Sequence, residues 1–180
     1  SYSATYTAAG SDETDTVSVA AGTFSDGAGQ TNTDLSSKNL AVGGLVQNYG
    51  NYFSGFGATE VITGTTSRDE LFFGDHAAYD GGLLTINGNG GDDVVNFQDF
   101  AASGVQSQNG SLIINNLNGD QSYYFSEYAA YIGGSVTINT NDGNHIFNFG
   151  NNAGYQGSIS INSGNGDQTF DFGLSSEGVD

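Results

Sequence analysis

One short motif returns at a fixed phase through the last two thirds of this chain, and few folds can use such a pattern. Leu84-Thr85-Ile86-Asn87, Leu112-Ile113-Ile114-Asn115, Val136-Thr137-Ile138-Asn139 and Ile159-Ser160-Ile161-Asn162 each begin two residues after a glycine (Gly82, Gly110, Gly134, Gly157). Past each isoleucine comes a second glycine (Gly91, Gly119, Gly143, Gly166), then Asp92, Asp120, Asn144 or Asp167. Further on stands Val95, Tyr123, Phe147 or Phe170, and two residues later Phe97, Phe125, Phe149 or Phe172. A more worn copy runs from Ile62 through Arg68, Asp69 and Leu71 to Phe73. The isoleucine anchors 62, 86, 114, 138 and 161 lie 24, 28, 24 and 23 residues apart.

Each copy reads apolar-polar-apolar-Asn, a Gly/Asn/Asp turn, then apolar-polar-Phe. Period-two alternation on both sides of a turn predicts two short strands, each with one buried face. A looser third segment closes the copy, as in Ala77-Ala78-Tyr79, Ala129-Ala130-Tyr131 and Ala153-Gly154-Tyr155. Ala101-Ala102 holds that place in the longest copy and lacks the tyrosine, so the extra residues are expected to bulge there. A unit of this size cannot bury its inward face alone; stacking the units does so and aligns like residues in columns. The fold class predicted is all-β, a parallel β-solenoid (β-helix) with rungs of about 24 residues. An antiparallel sandwich gives no reason for the same residue at the same phase in every copy. The repeats occupy residues 58–180. Residues 1–57 lack the motif and read as irregular first rungs or a cap, with strands expected near Asp15–Phe24, Leu40–Val42 and Leu45–Val46, and a loop over Ser25–Ser37. Tyr49, Tyr52, Phe53 and Phe56 are placed to plug that end of the core.

Composition narrows the function. The formal charge is -18, with Lys38 and Arg68 the two basic side chains. Nucleic acid and anionic lipid are bound through Lys/Arg clusters, so neither is an expected partner. There is no cysteine, hence no disulfide framework and no thiolate site. No apolar run approaches the roughly 18 residues of a membrane span. The chain opens at Ser1 without a signal-peptide pattern, as a mature, processed or partial chain would.

The turns carry the chemistry. Gly88-Asn89-Gly90-Gly91-Asp92-Asp93-Val94-Val95, and more weakly Thr65-Thr66-Ser67-Arg68-Asp69-Glu70-Leu71, resembles the glycine-and-aspartate nonapeptide of the RTX, or hemolysin-type, calcium-binding repeats. The resemblance implies an exported β-solenoid of the kind found in bacterial surface and type I-secreted proteins. It also implies a calcium ligand at the Asp two residues before the apolar position, here Asp69 and Asp93. Gln121, His145 and Gln168 stand at that phase in the other copies, and the period departs from nine.

Stacked rungs would also line up Asp92, Asp120, Asn144 and Asp167. Two carboxylates about 5 Å apart repel by about 3 kcal/mol at an effective dielectric near 20. A calcium ion bridging neighbouring rungs would reverse that, and Arg68, in the same column, is the expected counter-ion for Asp92. The alternative is that these side chains cap their turns by Asx-type hydrogen bonds. Asn87, Asn115, Asn139 and Asn162 are expected to form a hydrogen-bonded amide ladder, and Phe73, Phe97, Phe125, Phe149 and Phe172 a core column. Thr85, Thr137 and Ser160 beside the asparagines form an array that resembles the faces of solenoid ice-binding proteins, interrupted by Ile113. Tyr79, Tyr131 and Tyr155 either pack on the third side or present rings to a glycan. His76 and His145 read as surface turn residues.

No nucleophile–base pair or converging carboxylates is legible, so the chain is expected not to be an enzyme. The function expected is a structural, self-associating protein of a cell-surface or extracellular layer or filament, stabilised by calcium, a homo-oligomer or head-to-tail polymer. The alternative is a monomeric binding module of a secreted adhesin, holding glycan or ice on one solenoid face.

Overall fold

The computed structural model describes residues 44–104 and 108–174, together with the backbone of strands β1 (Thr14–Val19) and β2 (Ser36–Ala41). The chain divides into two compact units, Ser1–Gly43 and Gly44–Asp180. In the first, β1 and β2 pair antiparallel, Thr14 opposite Ala41 and Val19 opposite Ser36. The strand expected at Asp15–Phe24 is thus present from Asp15 to Val19, and its remainder lies outside the described residues. Ser36 and Ser37, expected in a loop, begin β2.

The second unit is a parallel β-solenoid of about five turns. Its strands are β3 (Val46–Tyr49), β4 (Thr59–Thr63), β5 (Glu70–Phe73), β6 (Leu83–Asn87), β7 (Val94–Phe97), β8 (Ser111–Asn115), β9 (Ser122–Phe125), β10 (Ser135–Asn139), β11 (His145–Phe149), β12 (Ser158–Asn162) and β13 (Gln168–Phe172). One five-stranded sheet runs β12-β10-β8-β6-β4, and a six-stranded sheet runs β13-β11-β9-β7-β5-β3. Register follows the repeat: Ile86 pairs with Ile114, Ile114 with Ile138, and Ile138 with Ile161. No helix occurs among the described residues, so none is long and apolar enough to cross a membrane.

Alternation sets the faces. In β6, β8 and β10 the second and fourth residues are buried while their neighbours are partly open. Leu84, Leu112, Val136 and Ile159 line one inward column, with Ile86, Ile114 and Ile138 beside them. Each such side chain contributes about 1.5–3 kcal/mol by leaving water. From the facing sheet a single file of rings descends. Tyr49, Phe73, Phe97, Phe125, Phe149 and Phe172 stack at centroid distances of 4.7, 4.5, 4.8, 4.6 and 5.1 Å, with planes within 10° of parallel.

Residues 44–57 lack the motif yet build the first rung. β3 pairs with β5 in register, Val46 opposite Glu70 and Tyr49 opposite Phe73. Of the four aromatics expected to plug this end, Tyr49 and Phe53 pack against the core, whereas Tyr52 and Phe56 lie exposed on the third side. The extra residues of the longest rung fall between Gly104 and Gly110, where the pairing resumes at Ser111; residues 105–107 lie outside the described set.

The third side is not a strand. Its backbone turns left-handed at every second residue, for example at His76 (φ 64°), Ala78 (φ 52°) and Asp80 (φ 48°), and likewise at Tyr128, Ala130 and Ile132. That conformation costs roughly 1–2 kcal/mol per ordinary residue. Rung-to-rung bonds hold it: Ala78 N–H donates to Phe53 O (2.9 Å), Ala102 N–H to Ala77 O (2.7 Å) and Ala130 N–H to Ala101 O (2.8 Å). The alanines here are fully buried, so nothing larger fits where the chain comes this close.

Candidate functional site

Two adjacent rows of polar side chains run along the turn that follows the five-stranded sheet. In an extended chain, successive N–H groups point opposite ways along the stack. Each row serves one direction. In the outer row, a side chain accepts the N–H of the next rung: Asp120 N–H donates to Asp92 Oδ1 (2.9 Å), Asn144 N–H to Asp120 Oδ1 (2.7 Å) and Asp167 N–H to Asn144 Oδ1 (3.0 Å). In the inner row the sense reverses. Leu45 N–H donates to Asp69 Oδ1 (2.6 Å), Asp69 N–H to Asp93 Oδ1 (2.8 Å), Asp93 N–H to Gln121 Oε1 (3.2 Å) and Gln121 N–H to His145 Nδ1 (3.2 Å). The aspartates, glutamine and histidine are interchangeable here because each offers an acceptor at the same reach.

The inner row is buried: Asp69, Asp93 and His145 are 1–2% exposed. Space for the carboxylates comes from glycine in the column just before the turn. A Cβ on Gly64 would collide with Asp69 Oδ2, and one on Gly88 would crowd Asp93 Oδ2. One rung on, that column holds Asn116, whose Nδ2 donates to Asp93 Oδ2 (3.1 Å) and Gln121 Oε1 (2.7 Å). Its Oδ1 is buried without a hydrogen-bond partner. Burial pushes the Asp93 carboxyl up to about 7, against the pull of the Asp69 N–H and with a further push from the charges of Asp69 and Asp92. The Tyr123 phenol is raised too, by burial first and by Asp93 second.

The calcium expectation rests on Asp69, Asp92, Asp93, Asp120, Asn144 and Asp167. Asp69 uses both oxygens on donors, Oδ2 taking Thr65 N–H (2.7 Å) and Oδ1 also taking the Thr65 hydroxyl (2.8 Å). Asp93 likewise faces two donors. A cation needs converging oxygens whose lone pairs are free. Among the described residues no group of three or more His, Cys, Asp or Glu side chains comes together. Asp69 and Asp93 thus serve donors with both oxygens, whereas Asp92 and Asp120 in the outer row each give one oxygen to the peptide N–H of the next rung. Arg68 lies in the outer row but does not serve Asp92. Its Nη2 pairs with Glu70 Oε1 at 2.8 Å, because Glu70 projects outward from the same turn. Nor is His145 a surface turn residue: its Nε2 lies 3.0 Å from Asn141 O, and the ring forms part of the inner row.

The amide ladder is present. Asn115 Nδ2 donates to Asn87 Oδ1 (3.1 Å), Asn139 Nδ2 to Asn115 Oδ1 (2.9 Å) and Asn162 Nδ2 to Asn139 Oδ1 (2.8 Å). Sequence reasoning missed a further ring column on the outside of the third side, where Tyr52, His76, Phe100 and Tyr128 stack at 4.7, 4.9 and 4.7 Å. The signal was a ring before each buried pair: His76-Ala77-Ala78, Phe100-Ala101-Ala102, Tyr128-Ala129-Ala130. Tyr79 and Tyr131 meet this column edge-on, and Tyr131 neighbours Tyr155 at 5.4 Å.

No protein-family profile, curated protein or solved structure matches the chain. Fold and side-chain placement therefore define it as a parallel β-solenoid whose turns are locked by rung-to-rung polar rows.

Proposed function

We propose that this chain is a structural, self-associating protein of an extracellular layer or filament, and that its copies meet through the C-terminal rung. The reading rests on the difference between the two ends of the described stack. At one end β4 carries Glu60 in a core-facing position, in register with Leu84, where it stays exposed. An inward-pointing charge is a known device against edge-to-edge pairing. At the other end β12 and β13 each have one strand neighbour among the described residues, and their core-facing residues are Ile159, Ile161, Phe170 and Phe172. Phe170 is 50% exposed and Leu174 81%. Asp167 is the last member of the outer row among the described residues, in a place where every earlier member accepts an amide from the following rung.

Two C-terminal rungs facing each other across a two-fold axis bury these apolar edges without burying charge. Such isologous pairs are the commonest assembly and are closed, so in a layer or filament the pair is the building unit and a second contact elsewhere on the chain joins the pairs. A head-to-tail junction in the register of the stack would set Glu60 over Ile159. An unpaired carboxylate buried there costs several kcal/mol. The extracellular setting is supported by the likeness of residues 60–100 to secreted repeats. Sedimentation velocity across a concentration series tests the reading, with electron microscopy of the same samples. Concentration-dependent association that Phe170→Asp abolishes, with unchanged circular dichroism, is the expected result. A monomer at every concentration overturns the proposal, and association indifferent to Phe170→Asp overturns the contact.

A further inference from the structure

The outward face of the five-stranded sheet differs from that of the six-stranded sheet. Thr85, Thr137 and Ser160 form a hydroxyl column beside the amide ladder, and the column on the other side is serine in β8, β10 and β12. No outward position of the sheet carries a charge, in a chain whose formal charge is -18. Val61, Leu83 and Ile113 are the apolar exceptions. The six-stranded sheet is an internal control built by the same repeat. Its outward face mixes Glu70 and Asp171 with exposed Phe72, Tyr124 and Ile146. Neutrality is thus a property of one face and not of the fold.

We infer that this face binds a neutral, extended polysaccharide laid along the solenoid axis. Three features carry the assignment. The groups repeat at about 4.8 Å between strands and about 6.6 Å along them, a regular grid suited to a polymer with a regular hydroxyl pattern. The ladder bonds fix the amides in advance. Asn115 and Asn139 each spend one N–H and one lone pair on neighbours, leaving one of each for a hydroxyl outside. Groups already ordered lose little entropy on binding. Finally, the charge is complementary by its absence: a neutral polymer meets no carboxylate here, whereas an anionic one is repelled by the rest of the surface. This goes beyond self-association, since the face lies along the sides of the stack and not at its end.

Retention of the purified chain on insoluble cellulose and chitin, against calcium-free alginate beads as the anionic polymer, tests the inference. At least one neutral polymer should hold the wild type while alginate does not. Ser160→Glu and Thr137→Glu should each weaken retention by about tenfold, whereas Asn96→Glu, on the outward face of the other sheet, should leave it within about twofold. Circular dichroism and melting temperature report whether each variant folds, and Thr137→Gln supplies a neutral replacement expected to keep binding. Failure of both neutral polymers overturns the inference. So does equal retention on alginate, retention indifferent to both Glu variants, or ice-growth inhibition by this face without polysaccharide binding.

Discussion

The peptide N–H of Asp69 donates to Oδ1 of Asp93, one rung along the stack, at 2.8 Å. Two buried carboxylates thereby sit in consecutive rungs of the inner row, with the Asn116 amide against the second. The arrangement tolerates one of them as an acid.

Stability should therefore depend on pH in an unusual sense. The folded pKa of Asp93 is raised to about 7 from 3.8, so the native state binds a proton that the unfolded chain has released. The contribution is complete below about pH 4 and is lost as pH rises through about 7, amounting to at most about 4 kcal/mol. Chemical denaturation from pH 4.5 to 8 should show the midpoint falling, against the trend expected for paired carboxylates. Asp93→Asn, which cannot ionise, should flatten that slope. A slope unchanged in Asp93→Asn would assign the effect elsewhere.

The phenylalanine file predicts a gradient along the stack. Phe125 lies between Phe97 and Phe149, and truncation to alanine leaves a cavity with rings above and below. Phe125→Ala should cost about 3–5 kcal/mol. Phe172 has one ring neighbour in the file and is half-buried, so Phe172→Ala should cost about 1–2 kcal/mol. Equal losses at the two positions would contradict the stacking.

Much of this was legible because the repeat carries both period and phase. Matching Ile86 with Ile114, Ile138 and Ile161 in the sequence already places them in register, and the asparagine and phenylalanine columns follow. Other features lay below the pattern. Arg68 shares a phase with Asp92, yet phase says nothing of Glu70 two residues on, which takes its charge. Gln121 and His145 break the aspartate motif only as a set of metal ligands. As acceptors for a peptide N–H they are equivalents of Asp93. The third side escaped because left-handed residues at alternate positions leave no periodicity of apolar and polar residues. In β3, Gln47 stands where later copies carry an apolar residue, so the first rung could be recognised only by its pairing with β5.

The asparagine ladder should be worth most at its centre. Asn115→Ala removes two side-chain bonds and strands Asn87 Oδ1 and Asn139 Nδ2, at a cost of about 1–2 kcal/mol. Asn162→Ala removes one bond at an exposed end and should cost about 0.5 kcal/mol. Urea titrations of both variants check the order.

Calcium should act here as a general counter-ion. Asp69 and Asp93 give both carboxylate oxygens to N–H donors, so calcium chloride and magnesium chloride at equal ionic strength should raise the melting temperature alike, by charge screening. A shift specific to calcium in the micromolar to millimolar range, removed by chelator, would show that the outer row reorganises around an ion.

The polar rows, the ring files and the end contact all require residues one repeat apart to be vertical neighbours, and a chain without cysteine permits a clean test. Thr137→Cys combined with Ser160→Cys places two thiols directly across a parallel pair. Thr137→Cys with Asn162→Cys offsets them by two residues, which puts the Cα atoms beyond the roughly 7 Å that a disulfide spans. Mild oxidation of the folded protein should cross-link the first pair within the chain and leave the second reduced. Equal oxidation of both, or of the offset pair alone, would contradict the stacked register.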